Sequence, residues 1–153
     1  MDFPRWTLGR PGVRVVDWLR RTDSLGLYPA VMESQWEDPE RLRERQWEAL
    51  QGLLVHAATK VPYYRRLLRE HGLRPAHFQA PADLARLPRL TKAIIRREGD
   101  AMLAEDFRRW QPRPKATSGS TGVPLRYWID RRSHGLHWAF LWRAWGLAGF
   151  RPG

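Results

Sequence analysis

"PKATSGSTGVPLRYW", Pro114 to Trp128, is the stretch where a chain crowded with Arg, Trp and Leu turns small and pliable. Seven of the eight residues from Thr117 to Pro124 bear a hydroxyl or are Gly or Pro. Upstream, Pro112 and Pro114 force an extended path, because a residue before proline is disfavoured in helix. Lys115-Ala116-Thr117 then reads as a strand end. Downstream, "PLRYWID" alternates Leu125, Tyr127 and Ile129 with Arg126 and Trp128, the period of a half-buried strand. Two extended pieces joined by a short pliable segment form a hairpin most simply. That hairpin makes an otherwise helical chain α/β.

Outward from it the pattern is helical. Asp130 can cap a helix over Arg131–Leu147. In "EDPERLRERQWEALQGLLVHAATK", Asp38 is an N-cap and Pro39 sits at the first helical position, where its missing N–H costs nothing. Leu42, Gln46, Trp47, Leu50, Leu53, Leu54 and Ala57 mark one face at helical spacing. Val61-Pro62 interrupts, and "YYRRLLREHG" makes a second helix that Gly72 stops. "PADLARLP" reads as a single turn, and Thr91 caps a short helix from Lys92 to Glu98. A helical region over residues 1–105 and a second part over 106–153, with its loop at 117–124, is the expected organisation.

The histidines carry no chemistry in this reading. His56 lies beside the apolar face of the long helix, and His71 stands in the last turn of the next, where positive charge is favoured. Tyr63 and Tyr64 read as packing. His134 and His137 have an i, i+3 spacing that could share a metal, yet no acid or cysteine lies at a suitable offset, so no metal site is expected.

Composition bounds the class. The 153 residues, 42% hydrophobic, can fill one ordinary core. With 0 Cys there is no disulfide framework and no thiol nucleophile. "MDFPRWTLGR" lacks the apolar run of a secretory signal. The longest apolar stretch, Leu136–Phe150, is broken by Arg143 and is shorter than the roughly 20 residues of a membrane span. The expectation is a soluble, cytoplasmic protein. Trp138, Trp142, Trp145 and Phe150 crowd that stretch and are expected to need a surface supplied from elsewhere. The net charge of +11 is carried almost wholly by arginine, with lysine only at 60, 92 and 115. It is scattered in singles and pairs with no block of like charge, so a nucleic-acid partner is not expected.

The loop has two physical readings. It is a plain Ser/Gly turn, or it is an anion cradle. Gly119 and Gly122 permit positive φ and leave no Cβ between backbone and ligand. Successive N–H groups can form a nest for phosphate oxygens, and Thr117, Ser118, Ser120 and Thr121 add neutral hydroxyl donors. It is not a Walker A loop, because no Gly-Lys-Ser/Thr ends it.

"TSGSTGVP" resembles the phosphate-binding motif of the adenylate-forming superfamily. The resemblance is to the branch of phenylacetate–CoA ligase, coenzyme F390 synthetase-like and CapK-like proteins. "LLVHAATKVPYYRRLLREHGL" (Leu53–Leu73) and "DLARLPRLTKAIIRRE" (Asp83–Glu98) are similar to that branch's N-terminal helical region, and "WRAWGLAGFRPG" (Trp142–Gly153) to its next segment. The resemblance implies an incomplete N-terminal domain of such a ligase. Thr117, Ser118, Gly119, Ser120, Thr121 and Gly122 would hold the β- and γ-phosphates of ATP. Arg126 would be a secondary phosphate contact, although strand alternation can turn it from the loop. Leu125 departs from the Lys that often follows the motif's Pro.

ATP, Mg²⁺, a carboxylic acid and coenzyme A, or another acceptor, are the implied ligands. The resemblance places the adenine segment, the ribose-binding Asp, the Mg²⁺-binding Glu and the catalytic Lys beyond Gly153. No catalytic or metal-binding residue is therefore assigned in this chain, which alone is expected to be inactive. Two rival readings stand beside it: a small basic nucleic-acid-binding module, and an inactive remnant of the ligase family.

Overall fold

The computed structural model describes residues 10–110, 112–117, 124–150 and 152. Within them the chain is α/β and mostly helical, with a two-stranded antiparallel sheet. It divides into two units, one of residues 1–37, 112–115 and 128–153, the other of residues 38–111 and 116–127.

The second unit is built on α3 (Pro39–Lys60) and α4 (Pro62–Glu70). Asp38 caps α3 as the sequence predicts, its carboxylate accepting from the N–H groups of Glu40 at 2.9 Å and Arg41 at 3.4 Å. Gly72 ends the α4 segment in the left-handed region, φ 61°, and Leu73 N–H then reaches back to the Leu68 carbonyl at 2.7 Å. These turns fold the chain over a core of Leu54, Leu68, Leu73 and Phe78, with Trp47, Leu50, Ala58, Leu84 and Leu87 packed against it.

The buried stripe of α3 thus runs 47, 50, 54, 58. This narrows the expected face: Gln46 is exposed and Leu53 is 61% exposed. Successive helical residues point about 100° apart, so with Leu54 facing the core its neighbour Leu53 is turned toward solvent.

"PADLARLP" forms a 3₁₀ turn over Pro81–Arg86, fastened by Asp83, which accepts from the N–H groups of Gln79 and Ala80 at 2.8 and 2.9 Å. Thr91 caps α5 (Lys92–Glu98), accepting from Ile94 N–H at 3.3 Å. Arg66 pairs with Glu98, and Arg65 with Glu105 at 2.8 Å. Both glutamates are held below the usual carboxylate range by those guanidinium bonds. The Arg65–Glu105 pair is solvated on both sides and contributes little to stability.

The first unit joins α1 (Arg10–Arg20), α2 (Ser24–Glu33) and α6 (Arg131–Gly146). Asp23 caps α2 and Asp130 caps α6, the latter accepting from Ser133 N–H at 2.8 Å. α2 and α6 lie close together because Gly135 has no side chain; a Cβ there would come within 3.0 Å of Leu27. Val31, Ala139 and Trp142 are buried in the unit, and Tyr28 meets Trp142 edge-on at 6.1 Å. Arg143 donates through Nη1 to the Val31 carbonyl at 3.2 Å, placing a cation at the negative end of α2.

Candidate functional site

The hairpin exists as predicted. β1 (Arg113–Ala116) pairs with β2 (Arg126–Ile129). Just inside the loop, Thr117 N–H donates to the Leu125 carbonyl at 3.0 Å, and Leu125 N–H donates to Thr117 Oγ1 at 3.0 Å. The threonine hydroxyl accepts in this clamp, so its own hydrogen is not used by it. Ser118, Gly119, Ser120, Thr121 and Gly122 lie outside the described residues. Arg126 is described and exposed.

The expected half-buried alternation of β2 is corrected by the structure. Tyr127 is 43% and Trp128 46% exposed, and only Ile129 at its end is half-buried. A four-residue strand in a two-stranded ribbon is too short to bury a whole face of its own.

Sequence reasoning missed a second place. In the first unit a cavity of about 370 Å³ opens between α1 and α6, walled by Val13, Val16, Trp138, Trp142, Trp145 and Phe150, with Arg20 at its polar side. Of the aromatics expected to need an outside surface, Trp138 and Phe150 are half-buried within the unit, and Trp145 remains 45% exposed. Trp142 is buried, and Trp138, Trp145 and Phe150 stack edge-to-face at 6.3 and 5.5 Å.

Asp17 also lines the cavity and is itself buried. Its carboxylate accepts from the hydroxyls of Thr22 at 2.7 Å and Ser24 at 2.8 Å and from Leu25 N–H at 3.1 Å. Those bonds fasten the α1–α2 corner, where Arg21 adopts φ 49°. The readable signal was "TDSLG", an Asp cap three residues before a Gly whose N–H it binds.

The histidines stand where packing puts them. His71 follows α4 as its C-cap, and His56 is half-buried on α3. His134 is buried on α6, with Trp138 edge-on to both His134 and His137 at 6.5 and 6.2 Å. Among the described residues no three metal-ligating side chains come together. None of their helices is long and apolar enough to cross a membrane.

No family profile matches the chain. It is 34% identical over 114 residues to a phenylacetate–coenzyme A ligase of Thermus thermophilus, a match covering 74% of this chain and 26% of that protein. It is 34% identical over 105 residues to a phenylacetate–coenzyme A ligase of Aromatoleum evansii, covering 68% of this chain and 23% of that one. The similarity supports a relationship to these ligases, of whose length the chain spans about a quarter.

Proposed function

We propose that the chain is part of an ATP-dependent acid–thiol ligase of the adenylate-forming superfamily, in the phenylacetate–CoA ligase, coenzyme F390 synthetase and CapK-like branch. The observation that carries this reading is the similarity to two phenylacetate–coenzyme A ligases over most of the chain's length. The clamp between Thr117 and Leu125 supports it by closing the base of the Gly/Ser/Thr loop.

In the proposed reaction a carboxylate oxygen attacks the α-phosphorus of ATP and pyrophosphate leaves, giving an acyl-adenylate. A thiol such as that of coenzyme A then takes the acyl group and releases AMP. Residues Thr117, Ser118, Gly119, Ser120, Thr121 and Gly122 hold the β- and γ-phosphates during the first step, and Arg126 adds positive charge nearby. Neutral donors suit this task, because they bind the anionic phosphates yet let pyrophosphate depart. Mg²⁺ would neutralise phosphate charge; no ligand to it is assigned in this chain. The helices of residues 39–98 serve as scaffold within the helical region of residues 1–105, and the adenylation core starts at 106.

ATP titration of the chain, paired with carboxylate-dependent ATP–pyrophosphate exchange in the full-length ligase, tests the loop. Gly119→Val and Gly122→Val are expected to abolish both, because each adds a β-branched side chain where phosphate approaches. Thr121→Ala is expected to weaken them roughly 10–150-fold, the loss of one hydrogen bond to a charged group. Thermal midpoints should stay near wild type. Unchanged ATP affinity in all three variants would overturn the reading.

A further inference from the structure

Positive side chains at the start of a helix work against its dipole, whose N-terminal end favours anions. α6 begins that way. Arg131 and Arg132 hold its first two positions, and its first turn contains no acid. Asp130, the cap, is committed to Ser133 through both carboxylate oxygens.

More positive charge arrives from two other elements of the same unit. Arg20 ends α1 and Arg21 follows it, while Arg113 and Lys115 stand two apart on β1. Arg113 Nη2 donates to the Arg20 carbonyl, which brings the strand to the end of α1. Arg21 and Arg113 act on Arg131 as like charges, and Lys115, Arg20 and Arg113 act on His134.

Two nitrogens inside this cluster are unsatisfied. Nε of Arg131 and Nδ1 of His134 are buried without a hydrogen-bond partner, and His134 as a whole is only 7% exposed. Buried donors and acceptors are rarely left so, and an anion held here would give them a partner. Among the described residues none of the five cations forms a salt bridge.

We propose that Arg20, Arg21, Arg113, Lys115, Arg131 and His134 form a binding site for a phosphorylated small molecule, recognised by its phosphoryl dianion. Guanidinium forks match phosphate oxygens in pairs, and a multivalent anion relieves the repulsion that a single carboxylate would leave. The compactness of the cluster argues against a nucleic acid, which needs charges spread along a strand. None of these residues belongs to the loop at 117–122, and the proposal stands without the ligase reading.

The test is calorimetric titration of the 153-residue chain with inorganic pyrophosphate, repeated in a Gly119→Val background that removes the loop's contribution. Saturable one-to-one binding should persist in that background. Arg131→Gln and Lys115→Gln should each weaken it roughly tenfold or more, the loss of one charge-assisted bond. Arg65→Gln, which removes the same charge elsewhere, should leave it unchanged. Saturation should also shift the His134 ring resonances in an NMR spectrum.

Binding lost with Gly119→Val but kept in Arg131→Gln would assign the anion to the loop and overturn this proposal. So would equal weakening by Arg65→Gln, or a single-stranded oligonucleotide that binds more tightly and displaces pyrophosphate. No saturable binding by a chain with its normal thermal midpoint would overturn it as well. Should Arg131→Gln fail to fold, the exposed Arg21→Gln replaces it, with the same tenfold weakening expected.

Discussion

His134 sits on α6 with its imidazole buried and Lys115 and Arg113 from β1, Arg20 from α1 and His137 from its own helix acting on it as positive neighbours. Burial first, and those neighbours second, hold its pKa below the ordinary 6.5. The unfolded imidazole therefore accepts a proton that the folded one resists. Stability from this source is complete above pH 6.5 and is lost as pH falls toward the lowered folded value. The acids act in a separate window. Asp83, Glu98, Glu105 and Asp130 all have lowered values, so their contribution is present at neutral pH and lost only when pH falls below the ordinary carboxylate range of 3.8–4.5. A plot of thermal midpoint against pH should show two descending steps. His134→Gln should flatten the upper step and leave the lower one. A profile without an upper step in the parent chain would contradict this account.

Helix starts were the most legible elements. Asp38, Thr91 and Asp130 read as caps because a short polar side chain before a helical run can accept from orphan N–H groups, and each does so. Faces were less legible. On α1 the buried residue is Asp17, while Val15, Trp18 and Leu19 are 55%, 75% and 65% exposed. A helix that buries a carboxylate and displays a tryptophan gives periodicity the wrong face to find. The hairpin was legible from Pro112, Pro114 and the alternation after Pro124, but the burial of β2 was not, since period 2 says nothing about whether a layer covers it. The reading of the loop as a phosphate cradle came from "TSGSTGVP" as a motif, and the loop's central residues lie outside the described ones.

The α3 stripe gives a prediction at the same scale. Leu54→Ala should cost roughly 2–5 kcal/mol because Leu54 is in the core, and Leu53→Ala about 0.5 kcal/mol or less because Leu53 is solvated. Denaturant unfolding of the adjacent pair measures both. Equal costs would mean that the helix is rotated.

Across the whole molecule the two units differ in how far along the chain their partners lie. The core of the second unit is drawn from residues 47 to 87, a run of neighbouring segments. In the first, α2 packs on α6, and the Arg143–Val31 bond closes across 112 positions. Local closures are expected to form before distant ones, because a long loop must lose more entropy before its contacts repay it. Pulse-labelling hydrogen exchange during refolding should protect amides of α3 and α4 before those of α2 and α6; simultaneous protection would refute that order.

The Arg143–Val31 bond has a consequence for the chain as it is made. Synthesis proceeds at roughly 5–20 residues per second, so about 6–22 s separate the addition of Val31 from that of Arg143. Throughout that interval the α2 surface that includes Tyr28 and Val31 is newly translated and still without α6. A nascent chain stalled within it should be bound by chaperones at α2, and release should follow once residue 143 has cleared the ribosome.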